Sequence, residues 1–245
     1  STFVGVAAMS GNYTISATGT GANNFTTSQR ARNALYERGV TGPVVFTLPD
    51  ATYTEGQVLG GGTPIPALDF RSRIVGVNST NTITFRPSAS RSVSKGSVAI
   101  TLRSDAGIGM MFGQSIVPTN NYAAVNSVNN SLLKDYAKSA GYIIWDGGAQ
   151  KSFKFLLESN SNFRAPVYLA DGSENISIKN CIVANKYENN TSRTYSLPLT
   201  GYDANVPGFT FEDNEEAGRS YSAGILLRNK TPYDQITNTA MNRYA

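Results

Sequence analysis

Apolar and polar residues alternate with a period of two along much of this chain, as in "NISIKN" (175–180) and "GFTFED" (208–213). Such alternation is the mark of strands that bury one face. Further strand-like runs are "PVVFTL", "ATYTE", "NTITFRP", "SVAITLRS", "YIIWD", "SFKFLL", "PVYLA", "CIVA", "YSLPLT" and "GILLR". One early segment, "TTSQRARNALYERG", has helical spacing instead. Thr26 and Gln29 fit a capping box, Ala31, Ala34 and Leu35 form a short apolar stripe, and Gly39 is the expected stop. A second short helix is expected in "NSLLKDYAKSAG", with Leu132, Leu133 and Tyr136 on one side. Gly60–Gly61–Gly62 and "TPIPALD" mark a loop, and no linker divides the chain.

Some of the strand-like runs echo one another. Aligning Asp146-Gly147 with Asp171-Gly172 places Phe153 on Ile178, and the same series continues to Phe211 and Ile236. Two residues later come Phe155, Asn180, Asp213 and Asn238. "APVYLADG" and "AGILLRNK" echo in the same sense. Repetition of this kind signals a solenoid, whose units bury their apolar faces against neighbouring units. Strands stacked in this way run parallel, about 4.8 Å apart. The expected column is Phe153, Ile178, Phe211 and Ile236. Asn180 interrupts its strand where an apolar residue is due, so it is expected to turn the chain through a left-handed backbone conformation.

On these repeats, and on the order of "GNYTISATGTGANNFTTSQRARNALYERGVTGPVVFTLPDATYTE", "NTITFRPS" and "YIIWDGG", the chain resembles right-handed parallel β-helix domains of the pectate-lyase-like superfold, found in secreted and surface-anchored bacterial proteins. The resemblance implies an all-β fold: one solenoid domain over residues 1–245, with a helix-bearing N-terminal cap at about 1–40 and a long insertion at about 105–141. The cap would cover the open end of the core. "TAMNRYA" offers no evident cap at the other end, so further chain or a partner protein is expected there.

Composition narrows the chemistry. The 245 residues include 23 Gly and 13 Tyr but no His. Every histidine acid–base, triad or metal-binding role is thereby excluded. The single cysteine, Cys181, excludes an internal disulfide and reads as a small buried hydrophobe. A net charge of +4 is modest for a nucleic-acid binder, and none is expected as partner. Between Phe70 and Ser104, Arg71, Arg73, Arg86, Arg91, Lys95 and Arg103 occur without a carboxylate. The plainer reading is solvated strand edges and turns; the alternative is a surface for anionic polysaccharide. No apolar run is long enough to span a bilayer, and "STFVGVAAMSG" is compatible with a mature terminus after leader removal.

The resemblance implies a non-enzymatic structural or adhesive module, secreted or on the cell surface, with no catalytic residue assigned. An alternative is a calcium-dependent polysaccharide lyase or another carbohydrate-active enzyme. Asp146, Asp171 and Asp203 are then candidate calcium ligands, with Lys151, Lys154 and Arg164 nearby as candidate bases. Each of these Asp residues also sits in a turn-like context, where Asp is common for backbone reasons. The acidic "FEDNEE" is read as a solvated turn rather than a calcium site. A third alternative is a non-catalytic carbohydrate-binding module, with Tyr122 and Tyr136 as candidate ligand-binding residues.

Overall fold

The computed structural model describes residues 6–57, 65–113, 140–159, 163–169, 173–186, 221–222 and 224–227. The strands are β1 (Met9–Ile15), β2 (Asn24–Phe25), β3 (Val40–Leu48), β4 (Thr52–Gln57), β5 (Leu68–Phe70), β6 (Ile83–Pro87), β7 (Val98–Ser104) and β8 (Ile108–Phe112). They continue with β9 (Ile143–Asp146), β10 (Phe153–Glu158), β11 (Phe163–Leu169), β12 (Ser177–Lys179), β13 (Cys181–Asn185), β14 (Tyr221–Ser222) and β15 (Ile225–Leu227). A single helix occurs among the described residues, α1 (Ser28–Arg38).

The chain visits three sheets in rotation. The first has the order β12-β9-β6-β3-β1-β2, the second β13-β10-β7-β4 and the third β14-β11-β8-β5, with β15 also on β11. Every pairing among these strands is parallel. Consecutive strands therefore form layers: β3–β4–β5, then β6–β7–β8, then β9–β10–β11, then β12–β13. The fold is all-β with parallel sheets, compatible with a solenoid.

Inward side chains align from layer to layer. In the first sheet Tyr13, Phe46, Phe85, Trp145 and Ile178 are successive register partners. Phe46 and Phe85 stack at 4.9 Å between ring centroids, and Phe85 and Trp145 at 4.0 Å. In the second sheet Val98, Phe153 and Cys181 form one column, and Tyr53, Ile100, Phe155 and Val183 another. In the third, Phe70 stacks on Phe112 at 5.4 Å. These rings and aliphatic side chains fill the space between the sheets, and burying them supplies the main drive for the layers to stack.

The expected column through Phe153 and Ile178 is corrected by this register. Ile178 lies over Trp145, and Phe153 lies under Cys181. The two echoing stretches belong to different sheets because the turns between the first and second sheets differ in length: 49–51, 88–97, 147–152, and Asn180 alone. Aligning the chain on Asp-Gly pairs therefore mismatches the strands. Phe211 and Ile236 lie outside the described residues. A second correction concerns the expected insertion at 105–141: its first part holds β8, a full member of the third sheet. "IGMMF" does not alternate because it is buried on both faces; even outward-pointing Met111 is only 6% exposed. The second expected helix, within 130–141, falls almost wholly outside the described residues.

Helix α1 begins one residue later than the capping box suggests. Thr27 is the N-cap, accepting from the Arg30 N–H at 3.1 Å. The carboxylate at this helix start comes from far along the chain. Glu55 of β4 accepts from the Ser28 N–H at 2.6 Å and the Gln29 N–H at 3.1 Å. Gly39 ends the helix as expected, with φ 65 and its N–H on the Leu35 carbonyl. Ala31, Ala34 and Leu35 are buried as expected, and Ser28 with them.

Candidate functional site

Asp146, a candidate calcium ligand, stands at the end of β9, where the chain leaves the first sheet for the second. Its register partner in the next layer is Lys179, not Asp171 as the Asp-Gly alignment suggests. Oδ1 of Asp146 accepts from the Gly148 N–H at 2.9 Å and from Nδ2 of Asn180 at 3.1 Å, and Oδ2 lies 3.1 Å from Nζ of Lys179. Burial alone would raise the pKa of this carboxyl. The Gly148 N–H, the Asn180 amide and Lys179 outweigh it and hold the group below its ordinary range.

Asn180 has φ 54, so it does take the left-handed conformation expected of it, and it makes the whole turn between β12 and β13 by itself. Gly147 lies directly beneath. Its N–H donates to the Lys179 carbonyl at 3.1 Å, and a Cβ placed on it would overlap the Asn180 carbonyl oxygen. Close backbone approach, rather than backbone conformation, requires glycine there. Cys181 follows, half-buried, with Sγ 3.0 Å from the Lys179 carbonyl oxygen. Burial pushes its thiol up to about 12, so it is neutral at physiological pH and unreactive.

Around this turn the charges follow a pattern. On the outer faces several of the described cations are in ion pairs, some of them across layers: Arg103 and Lys186 both with Glu158, Arg73 with Glu174, Lys179 with Asp146, and Arg71 with Asp69 two residues before it. Turns 88–97 and 147–152 differ. They stack directly, with the Gly96 N–H on the Lys151 carbonyl at 3.0 Å and the Val98 N–H on the Ser152 carbonyl at 2.9 Å. Lys95 and Lys151 are exposed in these turns and Arg86 is exposed on β6 just before the first of them, and none of the three has a carboxylate partner among the described residues.

The other expected site residues fall outside the described residues: Asp171, Asp203, Tyr122 and Tyr136. Among the described residues no three or more His, Cys, Asp or Glu side chains group together in a way that could hold a metal. Nor is any helix there long and apolar enough to cross a membrane. Of the candidate bases, Arg164 is buried, Lys154 is half-buried on the outer face of β10 and Lys151 is exposed in the turn before it. Sequence reasoning missed the buried carboxylate of Glu55. The signal was present in "ATYTEG", whose alternation puts Glu55 on the same inward face as Tyr53. Comparison with protein-family models, with curated proteins and with solved structures finds no match in any of the three.

Proposed function

We propose that this chain is a right-handed parallel β-helix serving as a structural or adhesive module, secreted or on the cell surface, with no catalytic role. The observation that carries the reading is the continuous ladder Tyr13–Phe46–Phe85–Trp145–Ile178, which ties the layers into one packed stack. Three parallel sheets visited in rotation support the solenoid, and the right-handed sense follows from the twist of strands that return in parallel to one sheet. A stack of this kind is stiff along its axis and displays its turns.

Among the described residues, six carboxylates are in structural contacts, which supports a scaffold role for them. Glu55 holds a helix start, Asp50 holds Ser16 and the Ala17 N–H, and Asp146 clamps a turn. Asp69, Glu158 and Glu174 are in ion pairs. Each of these groups has a named structural partner, which supports the scaffold reading of it. The test is incubation of the 245-residue chain with acidic polysaccharides, with and without calcium, followed by measurement of unsaturated products. None is expected; turnover dependent on calcium would replace this reading with the lyase.

A further inference from the structure

The six cations of the carboxylate-free stretch 70–104 separate into two sets in three dimensions. Arg71, Arg73 and Arg103 are neutralised by Asp69, Glu174 and Glu158. Arg86, Arg91 and Lys95 are not, and Lys151 and Lys154 of the next layer join them. The stacking of turns 88–97 and 147–152 brings Lys151 beside Gly96 through a backbone hydrogen bond. Lys154 is also there, since a Cβ on Gly96 would lie 3.7 Å from the Cβ of Lys154. Arg91 reaches down a layer, with Nε on the Pro49 carbonyl at 2.9 Å. The carboxylates in or beside the turns of this corner are already engaged, Asp50 by Ser16 and Ala17 and Asp146 by Lys179, Asn180 and Gly148.

We infer that this corner, carrying Arg86, Arg91, Lys95, Lys151 and Lys154, is a docking surface for a linear acidic glycan. Like charges on neighbouring strands repel, so the arrangement costs stability in the free protein, and an anionic partner removes that cost. Layers repeat about every 4.8 Å, so a polymer with anionic groups at comparable spacing can lie along the stack and meet cations from successive layers. The hydroxyl of Ser92 lies beside Gly148 on the same surface, and Ser94 is exposed; both suit sugar hydroxyls. Single-stranded nucleic acid is less well matched. It needs aromatic platforms for its bases, and the exposed large apolar side chain described here is Val93. The inference goes beyond the structural role proposed above, because it requires only the observed stacking of two turns.

The experiment measures binding of the 245-residue chain to polygalacturonate and to heparin in low-salt buffer, with single-stranded DNA as a third polyanion. The parent chain is expected to bind at least one glycan. The triple variant Lys95→Gln/Lys151→Gln/Lys154→Gln is expected to weaken that binding by roughly tenfold, as the loss of three charge contacts of ordinary surface strength would. The matched triple Arg30→Gln/Arg38→Gln/Arg71→Gln removes equal charge elsewhere and is expected to bind like the parent. Preference for polygalacturonate over heparin, or the reverse, identifies carboxylate or sulfate as the recognised group. The inference is overturned if the parent binds neither glycan, if both triples weaken binding equally, or if DNA binds as tightly as the glycans through the same residues. Melting of the first triple at or above the parent temperature shows that a loss of binding is not a loss of fold, and cleavage assays on the same glycans report separately on the proposed function.

Discussion

At the scale of single residues, backbone approach and buried charge decide most. Gly147→Ala forces a methyl into the Asn180 carbonyl, and neither backbone can move without disturbing a ladder. The expected loss is about 2 kcal/mol or more in urea unfolding, at the upper end of ordinary point mutations. Asn180 separates two effects. Asn180→Gly keeps the left-handed turn and loses only the amide bond to Asp146, whereas Asn180→Ala also pays about 1 kcal/mol for φ 54. The alanine variant is therefore expected to be the less stable of the two, and the reverse order would remove the turn argument. Glu55 supplies a pH signature. Burial raises its pKa above the ordinary 4.5, against the lowering effect of its bonds to Ser28 and Gln29. A carboxyl whose folded pKa is raised contributes most below its unfolded pKa, and that contribution is lost as pH rises through the folded value. The stability difference between the parent and Glu55→Gln is thus expected to move in the parent's favour as pH falls from neutral toward 4.5, and then to level off. Urea titrations at a series of pH values read this directly, and a difference moving the other way would mean that the two N–H donors, not burial, control the group.

Elements are held by what their inward faces touch, and Trp145 in β9 is the largest test of that. It is fully buried between Phe85 and Ile178, yet its indole N–H has no partner among the described residues. Trp145→Ala is expected to cost about 3–5 kcal/mol, the ordinary range for emptying an aromatic site. Trp145→Phe should cost clearly less, because it preserves most of the stacking and removes a buried donor left unsatisfied. The same element shows what the sequence makes legible. β3, β4, β6, β7, β9 and β10 are all visible as alternation, because each buries one face. β8 is hidden because both its faces are covered, and β5, only three residues long, is too short to display a period. The capping of α1 is misread by one residue because its carboxylate comes from Glu55, on a strand that folding alone brings under the helix. For the candidate sites, the turn at Asn180 is readable from one anomalous residue. The partner of Asp146 is not, because turn length sets which layer residue faces which, and turn length carries no apolar pattern. The basic corner is half visible: Arg86, Arg91 and Lys95 stand out in sequence, but their separation from Arg73 and Arg103 depends on ion pairs with Glu174 and Glu158, far along the chain.

Across the whole molecule, parallel layering makes contact local in one direction. Each layer touches the one below and the one above, and the first sheet records this as Phe46 on Phe85 on Trp145. In such a stack stability approximates a sum of layer terms and nearest-neighbour interface terms. Damage should then spread by neighbourhood along the axis rather than by distance along the sequence. Phe85→Ala empties a fully buried position between β3 and β9, so amide hydrogen exchange should accelerate in both of those strands, although they lie far apart in sequence. Leu35→Ala, under the helix at the end of the stack, should accelerate exchange in α1 and the adjoining strands β1 and β4 while leaving β10 and β13 close to parent rates. A core that behaved as one cooperative unit would instead lose protection evenly in both variants. Even loss would set aside the layered energetics on which the proposed rod-like role rests, while the parallel register itself would stand.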